Sequence, residues 1–188
     1  MSFVGKTVAV TGAGSGIGRA VSEAVTKMGA KVVGIDYNKQ LLDKLTKEVP
    51  GCRAVVADLS KAADVQRAAD EAGDVDFLVN NAGINILEPF LETKFESYKK
   101  VMAINTDAVF LLSQAIARKM VKRGVKGAIV NMASQASKVG LVDHTAYCVS
   151  KGAVDQLTRI MALELGAHGI RVNAGTFFLH RFLFFQFC

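Results

Sequence analysis

The chain has 188 residues, of which 51% are hydrophobic and 21% are charged. This balance excludes an intrinsically disordered protein and predicts one folded, soluble domain. The net charge of +6 invites a nucleic-acid interpretation, but the densest basic cluster lies near the end of a predicted helix, where cations complement the helix dipole. No nucleic-acid motif accompanies that cluster, which consists of Arg118, Lys119, Lys122, Arg123 and Lys126. We therefore expect a small-molecule partner and no nucleic acid.

Three widely spaced cysteines, Cys52, Cys148 and Cys188, form neither a CxxC pair nor a metal-ligand pattern. Free thiols in a reducing compartment are the natural interpretation. The N-terminal sequence MSFVGKTVAV lacks the features of a signal peptide, and no apolar run is long enough to span a membrane. We therefore expect a cytoplasmic protein without a metal site.

Strand-like and helix-like segments alternate from residue 6 to residue 174. Apolar, β-branched runs predict strands at 7–11, 31–36, 53–58, 76–81, 127–133 and 170–174. Helical spacing of apolar residues predicts helices at 17–28, 38–48, 61–72, 92–123 and 145–166. Because the strands are continuously apolar, we expect both faces of the sheet to be buried. The pattern predicts a doubly wound parallel α/β sheet, which binds ligands at the carboxyl ends of its strands.

The first strand ends in the sequence TGAGSGIG at 11–18. Its glycines, Gly12, Gly14, Gly16 and Gly18, allow a tight turn and a close approach of the backbone to a diphosphate, which the start of the next helix attracts. The loop lacks the Gly-Lys-Ser/Thr of a P-loop nucleoside triphosphatase. A turn that only packs a helix closely also needs glycine, so the loop alone leaves both interpretations open.

Acidic and amide residues follow the next three strands. Asp36 ends the second strand, and its carboxylate can accept hydrogen bonds from the ribose hydroxyls of an adenosine while repelling a 2′-phosphate; the alternative is an N-cap of the next helix. Asp58, after the third strand, is a candidate contact for the adenine edge. The sequence NNAG at 80–83, after the fourth strand, either lets a ligand lie against the backbone or forms an ordinary turn.

Ser134 follows the fifth strand, and Tyr147 and Lys151 lie beyond it in a predicted helix. Their i,i+4 spacing places the phenol and the ammonium on one helix face. We expect the ammonium to stabilise the phenolate and so to lower the pKa of Tyr147 towards the range in which a tyrosine works as an acid–base. A pair of this spacing alone is usually a surface feature. Its position beyond a strand end, with Ser134 able to reach the same substrate oxygen, favours a catalytic site.

In this order, the motifs TGx3GIG, NNAG and Sx12Yx3K resemble those of the short-chain dehydrogenase/reductase family, over residues 1–174. The resemblance implies a Rossmann-type domain with Tyr147 as general acid/base, Lys151 as ligand of the nicotinamide ribose and Ser134 as the group that polarises the carbonyl. It also implies that Asn105, in VMAINTDA, holds a water in the proton relay. The predicted dinucleotide-binding residues are Gly12, Gly14, Ser15, Gly16, Ile17, Gly18, Asp36, Asp58, Leu59, Asn81, Ala82, Gly83, Tyr147 and Lys151.

Within this family the chain is most similar to the L-xylulose (dicarbonyl/carbonyl) reductases, through DHTAYCVSKGA and comparable segments. That likeness implies NAD(P)(H)-dependent reduction of a ketone, dicarbonyl or sugar carbonyl, or oxidation of the matching secondary alcohol. It also places Gln135 and His144 at the substrate pocket. These reductases use NADP(H) and carry basic residues in the glycine loop and after the second strand, where this chain has Ser15, Asp36 and Tyr37. The charge of Asp36 favours NAD(H), whereas kinship leaves NADP(H) as the alternative.

Residues 175–188 differ from the rest of the chain, since they contain six of its eleven phenylalanines and the aggregation-prone sequence FLFFQF. They match neither the Pro-Gly turn nor the lid that follow RVNA in relatives. We therefore expect a chain truncated after residue 174, with a divergent tail in place of the C-terminal part of the fold. One alternative to an active reductase is an impaired or inactive product that at most binds the dinucleotide. Another is a tail that binds a membrane or a partner, although the tail is too short to span a bilayer. The long helices through which relatives pair are present, so a homo-oligomer is expected.

Overall fold

A seven-stranded sheet forms the centre of the computed structural model, which describes residues 2–176 and 186–187. The strands are β1 (Thr7–Thr11), β2 (Lys31–Asp36), β3 (Cys52–Val56), β4 (Phe77–Asn80), β5 (Ala128–Met132), β6 (Arg171–Thr176) and β7 (Gln186–Phe187). Their order is β3-β2-β1-β4-β5-β6-β7, with β1 to β6 parallel and β7 antiparallel to β6. The strand order reverses between β1 and β4, where open α/β sheets bind ligands. The predicted doubly wound α/β fold is confirmed.

Within residues 2–176, six α-helices lie in the connections between strands, as the parallel sheet requires. They are α1 (Gly16–Lys27), α2 (Lys39–Glu48), α3 (Ala62–Ala72), α4 (Phe95–Met102), α5 (Ala108–Lys122) and α6 (Thr145–Gly166). Short 3-10 segments lie at Phe90–Glu92 and Gln135–Ser137. Among the described residues, no helix is both long and apolar enough to cross a lipid bilayer.

Two apolar cores lie on opposite faces of the sheet. Because successive strand residues point to opposite faces, Val8 and Val10 of β1 join one core and Ala9 joins the other. The first core packs the sheet against α1 and α2, with Leu42 and Leu45 fully buried. The second packs it against α3, α5 and α6. Burial of the sheet on both faces accounts for the continuously apolar strand sequences.

The segment predicted as one helix at 92–123 is interrupted, and the prediction of a single helix is wrong. It starts at Phe95, and a π-helical turn at Ala103–Asp107 separates α4 from α5. The side chain of Asn105, within this turn, binds the backbone of Ile84. One extra residue in a turn leaves the apolar spacing on either side nearly unchanged, so periodicity does not reveal it.

The last parallel strand extends further than predicted. β6 continues to Thr176, and Gly175 pairs with Met132 of β5, so these two tail residues belong to the sheet. The remainder of the predicted Phe-rich tail lies outside the described residues, apart from the β7 backbone.

Candidate active site

The glycine loop between β1 and α1 has the geometry of a close-approach turn. Gly12 and Gly16 have positive φ angles of 64° and 52°, which favour glycine. A Cβ on Gly18 would lie 2.2 Å from the carbonyl oxygen of Gly12, so helix and strand approach too closely for any side chain there. Ser15 precedes α1 without capping it, and the first turn of α1 contains no acidic residue. The first N–H groups of α1 therefore remain available to an anion.

Asp36 is held against the glycine loop at the end of β2. Its Oδ2 accepts a hydrogen bond from the Gly14 N–H at 3.0 Å, and its Oδ1 accepts one from the Asn38 N–H at 3.0 Å. The N-cap of α2 is Asn38, whose side chain accepts from the Leu41 N–H at 3.1 Å. The helix-cap alternative for Asp36 is therefore wrong, and the carboxylate lines the cavity described below.

Asp58 and Leu59 follow β3 at the same edge of the sheet. Oδ1 of Asp58 accepts from the Ser60 hydroxyl at 2.7 Å, and Lys61 lies 3.2 Å from its Oδ2. Hydrogen bonds from Ser60 are the main cause that lowers the pKa of Asp58 below its usual value, and the nearby Lys61 ammonium contributes less. The Asp58 side chain is thus an ionised acceptor beside the cavity.

The NNAG segment is tied to the end of β1. Oγ1 of Thr11 accepts hydrogen bonds from the backbone N–H groups of Asn81 and Ala82, both at 2.9 Å. Asn80, the last residue of β4, points instead into the core, where its amide donates to Ser113 and Asn131 at 2.8 Å each. Asn80 therefore supports the sheet, whereas Asn81 and Ala82 line the cavity.

A cavity of about 460 Å³ joins these strand ends, within the size range of small-molecule sites. Ten of the predicted dinucleotide-binding residues line it: Gly12, Ser15, Gly16, Ile17, Asp36, Asp58, Leu59, Asn81, Ala82 and Gly83. Gly14 and Gly18 lie behind it, against Asp36 and Gly12 respectively. Five further lining residues are not in the predicted set, and these are Tyr37, Leu41, Ala57, Ile84 and Ile104. Tyr37 directly follows Asp36, whereas the side chains of the other four are apolar, and only their closeness to NNAG, Asn105 and the strand ends could have indicated them.

Tyr147 and Lys151 share one face of α6, as the spacing predicts. The Lys151 Nζ lies 5.6 Å from the centroid of the Tyr147 ring and donates a hydrogen bond to the Met132 carbonyl, at the end of β5, at 2.6 Å. Lys151 is only 5% exposed, and this burial lowers the pKa of its ammonium from 10.5 to about 8. At neutral pH a mostly protonated ammonium therefore lies beside the phenol ring.

The side chain of Asn105 connects the π-helical turn to the segment after NNAG and to α6. Its Oδ1 accepts from the Ile84 N–H at 2.8 Å, and its Nδ2 donates to the Ile84 carbonyl at 2.9 Å and to the Ser150 hydroxyl at 3.0 Å. A Cβ on Gly83 would lie 3.3 Å from the Asn105 Oδ1 and 3.6 Å from the Lys151 Nζ, so these three residues converge. Both amide hydrogens of Asn105 are engaged, so its side chain could act on a water only as an acceptor.

Ser134, Gln135 and His144 lie on the segments that flank Tyr147. Ser134 precedes the 3-10 segment that packs against α6, and its Oγ accepts from the Ala136 N–H at 3.2 Å. Gln135 begins that segment and is half-buried. His144 precedes α6, and its ring meets that of Tyr147 edge to face at 6.3 Å between centroids.

The His144 ring has a defined proton position. Its Nδ1 lies 2.6 Å from the Val142 carbonyl oxygen, and because a carbonyl only accepts, Nδ1 carries the hydrogen. In the neutral ring, Nε2 is then an acceptor.

Comparisons with known proteins agree with this architecture. The family model described as short chain dehydrogenase matches residues 6–176. The L-xylulose reductase of Homo sapiens is 47% identical over 172 residues, which are 92% of this chain and 70% of that protein. Carbonyl reductase (NADPH) 2 of Sus scrofa is 43% identical over 174 residues, which are 93% of this chain and 71% of that protein.

A solved structure shows the same agreement in three dimensions. The 3-ketoacyl-(acyl-carrier-protein) reductase of Brucella melitensis, complexed with NADH, superposes with a TM-score of 0.87 at 34% sequence identity. The match covers 92% of this chain and 75% of that one.

Proposed function

This chain belongs to the short-chain dehydrogenase family and is an NAD(P)-dependent oxidoreductase, and we propose that it reduces a ketone, dicarbonyl or sugar carbonyl with Tyr147 as general acid. In the reverse direction Tyr147 would act as the base that takes the proton of the matching secondary alcohol. The observation that carries the proposal is the Tyr147–Lys151 pair on α6, at the same edge of the sheet as the cavity with the glycine loop.

The residues around the cavity fit a nicotinamide dinucleotide. The glycine loop and the uncapped start of α1 suit its diphosphate, and Asp36 suits the hydroxyls of its adenosine ribose. Asp58 offers a carboxylate for the adenine edge. When bound, the reduced cofactor would supply the hydride for the carbonyl carbon.

We assign proton transfer to Tyr147, which Lys151 assists from the same face of α6. The Tyr147 hydroxyl would donate its proton to the carbonyl oxygen as the alcohol forms. The ammonium of Lys151, excluded from water, stabilises the negative charge that the tyrosine then carries. The Ser134 hydroxyl would donate a hydrogen bond to the same carbonyl oxygen and polarise it.

Gln135 and His144 are proposed to bind the rest of the substrate. The Nδ1–H of His144 is engaged with the Val142 carbonyl, which leaves the Nε2 edge of the ring for a substrate hydroxyl. The Gln135 amide can both donate and accept. This combination suits a hydroxylated or dicarbonyl substrate, in agreement with the names of the similar reductases.

Charge around the cavity supports a preference for NAD(H). None of the described residues that line it is Lys or Arg, whereas Asp36 and Asp58 are both acidic. A 2′-phosphate on the adenosine ribose would meet the Asp36 carboxylate without a compensating cation. Ser15 and Tyr37 occupy the lining positions at which a basic residue would accommodate NADP(H).

We further propose that the chain pairs with a second copy through α5 and α6. These helices line a largely apolar groove of about 490 Å³, and Phe110 and Ile160 in it remain 45% and 44% exposed. Arg118 and Glu164 lie on the same surface and could form ion pairs between copies. Analytical ultracentrifugation tests the pairing: Ile160→Glu should be monomeric at concentrations at which the parent chain is a dimer, and a parent chain that is monomeric throughout contradicts it.

Turnover tests the catalytic proposal. The purified chain is mixed with NADH and a small dicarbonyl or a ketose, and the loss of NADH absorbance is followed beside the Tyr147→Phe variant. We expect turnover in the parent chain, and loss of turnover without loss of NADH binding in the variant. NADH binding without turnover in the parent chain would leave a dinucleotide-binding protein and overturn the reductase proposal.

A further inference from the structure

We propose that Ser150 is a positioning residue of this site, whose hydroxyl fixes the start of α6 against the π-helical turn and thereby directs Tyr147 and Lys151. The inference rests on the proposed function, in which those two side chains carry the proton chemistry.

Ser150 is fully buried and bonds in two directions. Its hydroxyl donates to the Tyr147 carbonyl oxygen at 2.7 Å and accepts from the Asn105 Nδ2 at 3.0 Å. Its own carbonyl accepts from the Thr106 hydroxyl at 3.3 Å. Two consecutive residues of the π-helical turn therefore hold Ser150, and Ser150 holds the backbone of Tyr147.

The other end of this connection reaches the wall of the dinucleotide cavity. Asn105 binds both the N–H and the carbonyl of Ile84, a lining residue. A continuous set of hydrogen bonds thus runs from the cavity wall through Asn105 and Ser150 to the Tyr147 backbone. The buried atoms of this set have no alternative partner in water.

Removing the hydroxyl should disturb the start of α6 more than the dinucleotide contacts. The Asn105 amide would keep a buried N–H without an acceptor, and Tyr147 would lose its tie to the π-helical turn. A displacement of about 1 Å in catalytic groups can reduce turnover by about 100-fold. The glycine loop and Asp36 lie at other strand ends and make no hydrogen bond with Ser150. Since Tyr147, Lys151 and Ile84 would also border the dinucleotide, the expected signature is a loss of kcat that is much larger than any loss of NADH affinity.

Four variants test the proposal. Ser150→Ala and the closer-sized Ser150→Cys, which hydrogen-bonds weakly, should both lower kcat by roughly 10- to 100-fold while raising the NADH Kd by a much smaller factor. Ser150→Thr, which retains the hydroxyl, should restore most of kcat. The matched control is Ser113→Ala, since Ser113 is also buried and accepts from an asparagine amide, that of Asn80, at 2.8 Å. It should lose stability and keep its kcat.

Wild-type kcat in Ser150→Ala or Ser150→Cys overturns the proposal, as does an equal loss of kcat in Ser113→Ala. If the parent chain binds NADH without turnover, the proposed function has failed, and a crystal structure of Ser150→Cys then decides the positioning role by itself. A Tyr147 ring displaced relative to the Lys151 Nζ supports that role, and an unmoved ring overturns it.

Discussion

Replacing Lys151 by methionine should stabilise the fold while it abolishes turnover. Lys151 is 5% exposed, and its ammonium has a pKa of about 8 instead of 10.5 because burial disfavours the charged form. Methionine fills a similar volume without a charge, so Lys151→Met removes the cost of keeping this ammonium inside the protein.

The magnitude follows from the two pKa values. Their difference corresponds to about 3 kcal/mol that the folded state loses at pH 7. The variant also loses the hydrogen bond to the Met132 carbonyl, worth about 1 kcal/mol net. Lys151→Met should therefore be about 2 kcal/mol more stable than the parent chain at pH 7.

The difference should disappear as pH rises. Between about pH 8 and pH 10.5 the unfolded chain keeps the Lys151 proton and the folded chain does not, so the parent chain gains stability with rising pH. The variant lacks this gain, and the two free energies of unfolding should be about equal near pH 10. Urea denaturation at one protein concentration, repeated from pH 7 to pH 10, measures both effects.

Lys119→Met serves as the control for this comparison. The Lys119 ammonium also donates to a main-chain carbonyl, that of Ala69, at 2.7 Å, but its side chain is 31% exposed. Its removal should lower the free energy of unfolding by about 1 kcal/mol at pH 7. The reasoning is refuted if Lys151→Met is less stable than the parent chain at pH 7, or if the difference between them does not change with pH.

Asp36, the glycine loop and α6 offer three simpler tests. Asp36→Ser should lower kcat/KM with NADH and raise it with NADPH, each by about tenfold, because the charge facing a 2′-phosphate is gone; kinetics with the two cofactors that show an unchanged preference contradict this role. Gly18→Ala places a methyl 2.2 Å from the Gly12 carbonyl oxygen and should lower the free energy of unfolding by at least about 2 kcal/mol, measured by urea denaturation. It should also weaken NADH binding, measured by fluorescence titration. A Cβ on Gly152, in α6, would meet no atom within 4 Å, and alanine favours a helix over glycine, so Gly152→Ala should add about 1 kcal/mol of stability. A loss of stability in urea denaturation would contradict this expectation.

Local sequence patterns were sufficient to predict most strands of the sheet and the positions of Asp36, Tyr147 and Lys151. The observed bounds of β1, β2 and α6 match the predicted ranges, because turn-forming residues and glycines end each apolar run. The position of Asp36 followed from the strand end, and the shared face of Tyr147 and Lys151 followed from helical spacing.

Features that depend on tertiary contacts were not predictable in this way. The π-helical turn is stabilised by Asn105 binding Ile84, a residue 21 positions away that carries no polar side chain. Ser150 lies three residues after Tyr147, but only its contact with Asn105 gives its hydroxyl a second partner. Asn38 rather than Asp36 caps α2, while the Asp36 carboxylate accepts a hydrogen bond from the Gly14 N–H. Sequence alone does not reveal that tertiary hydrogen bond.

The central claim is that this chain transfers a hydride from NADH to a carbonyl carbon with a proton from Tyr147. The most direct measurement uses NADH deuterated at the transferring position of its nicotinamide, with a small dicarbonyl as substrate and mass spectrometry of the alcohol formed. We predict one deuterium on the product carbon with the parent chain, and no product with Tyr147→Phe although that variant still binds NADH. Deuterated alcohol formed equally by both chains, or by neither, would contradict the claim.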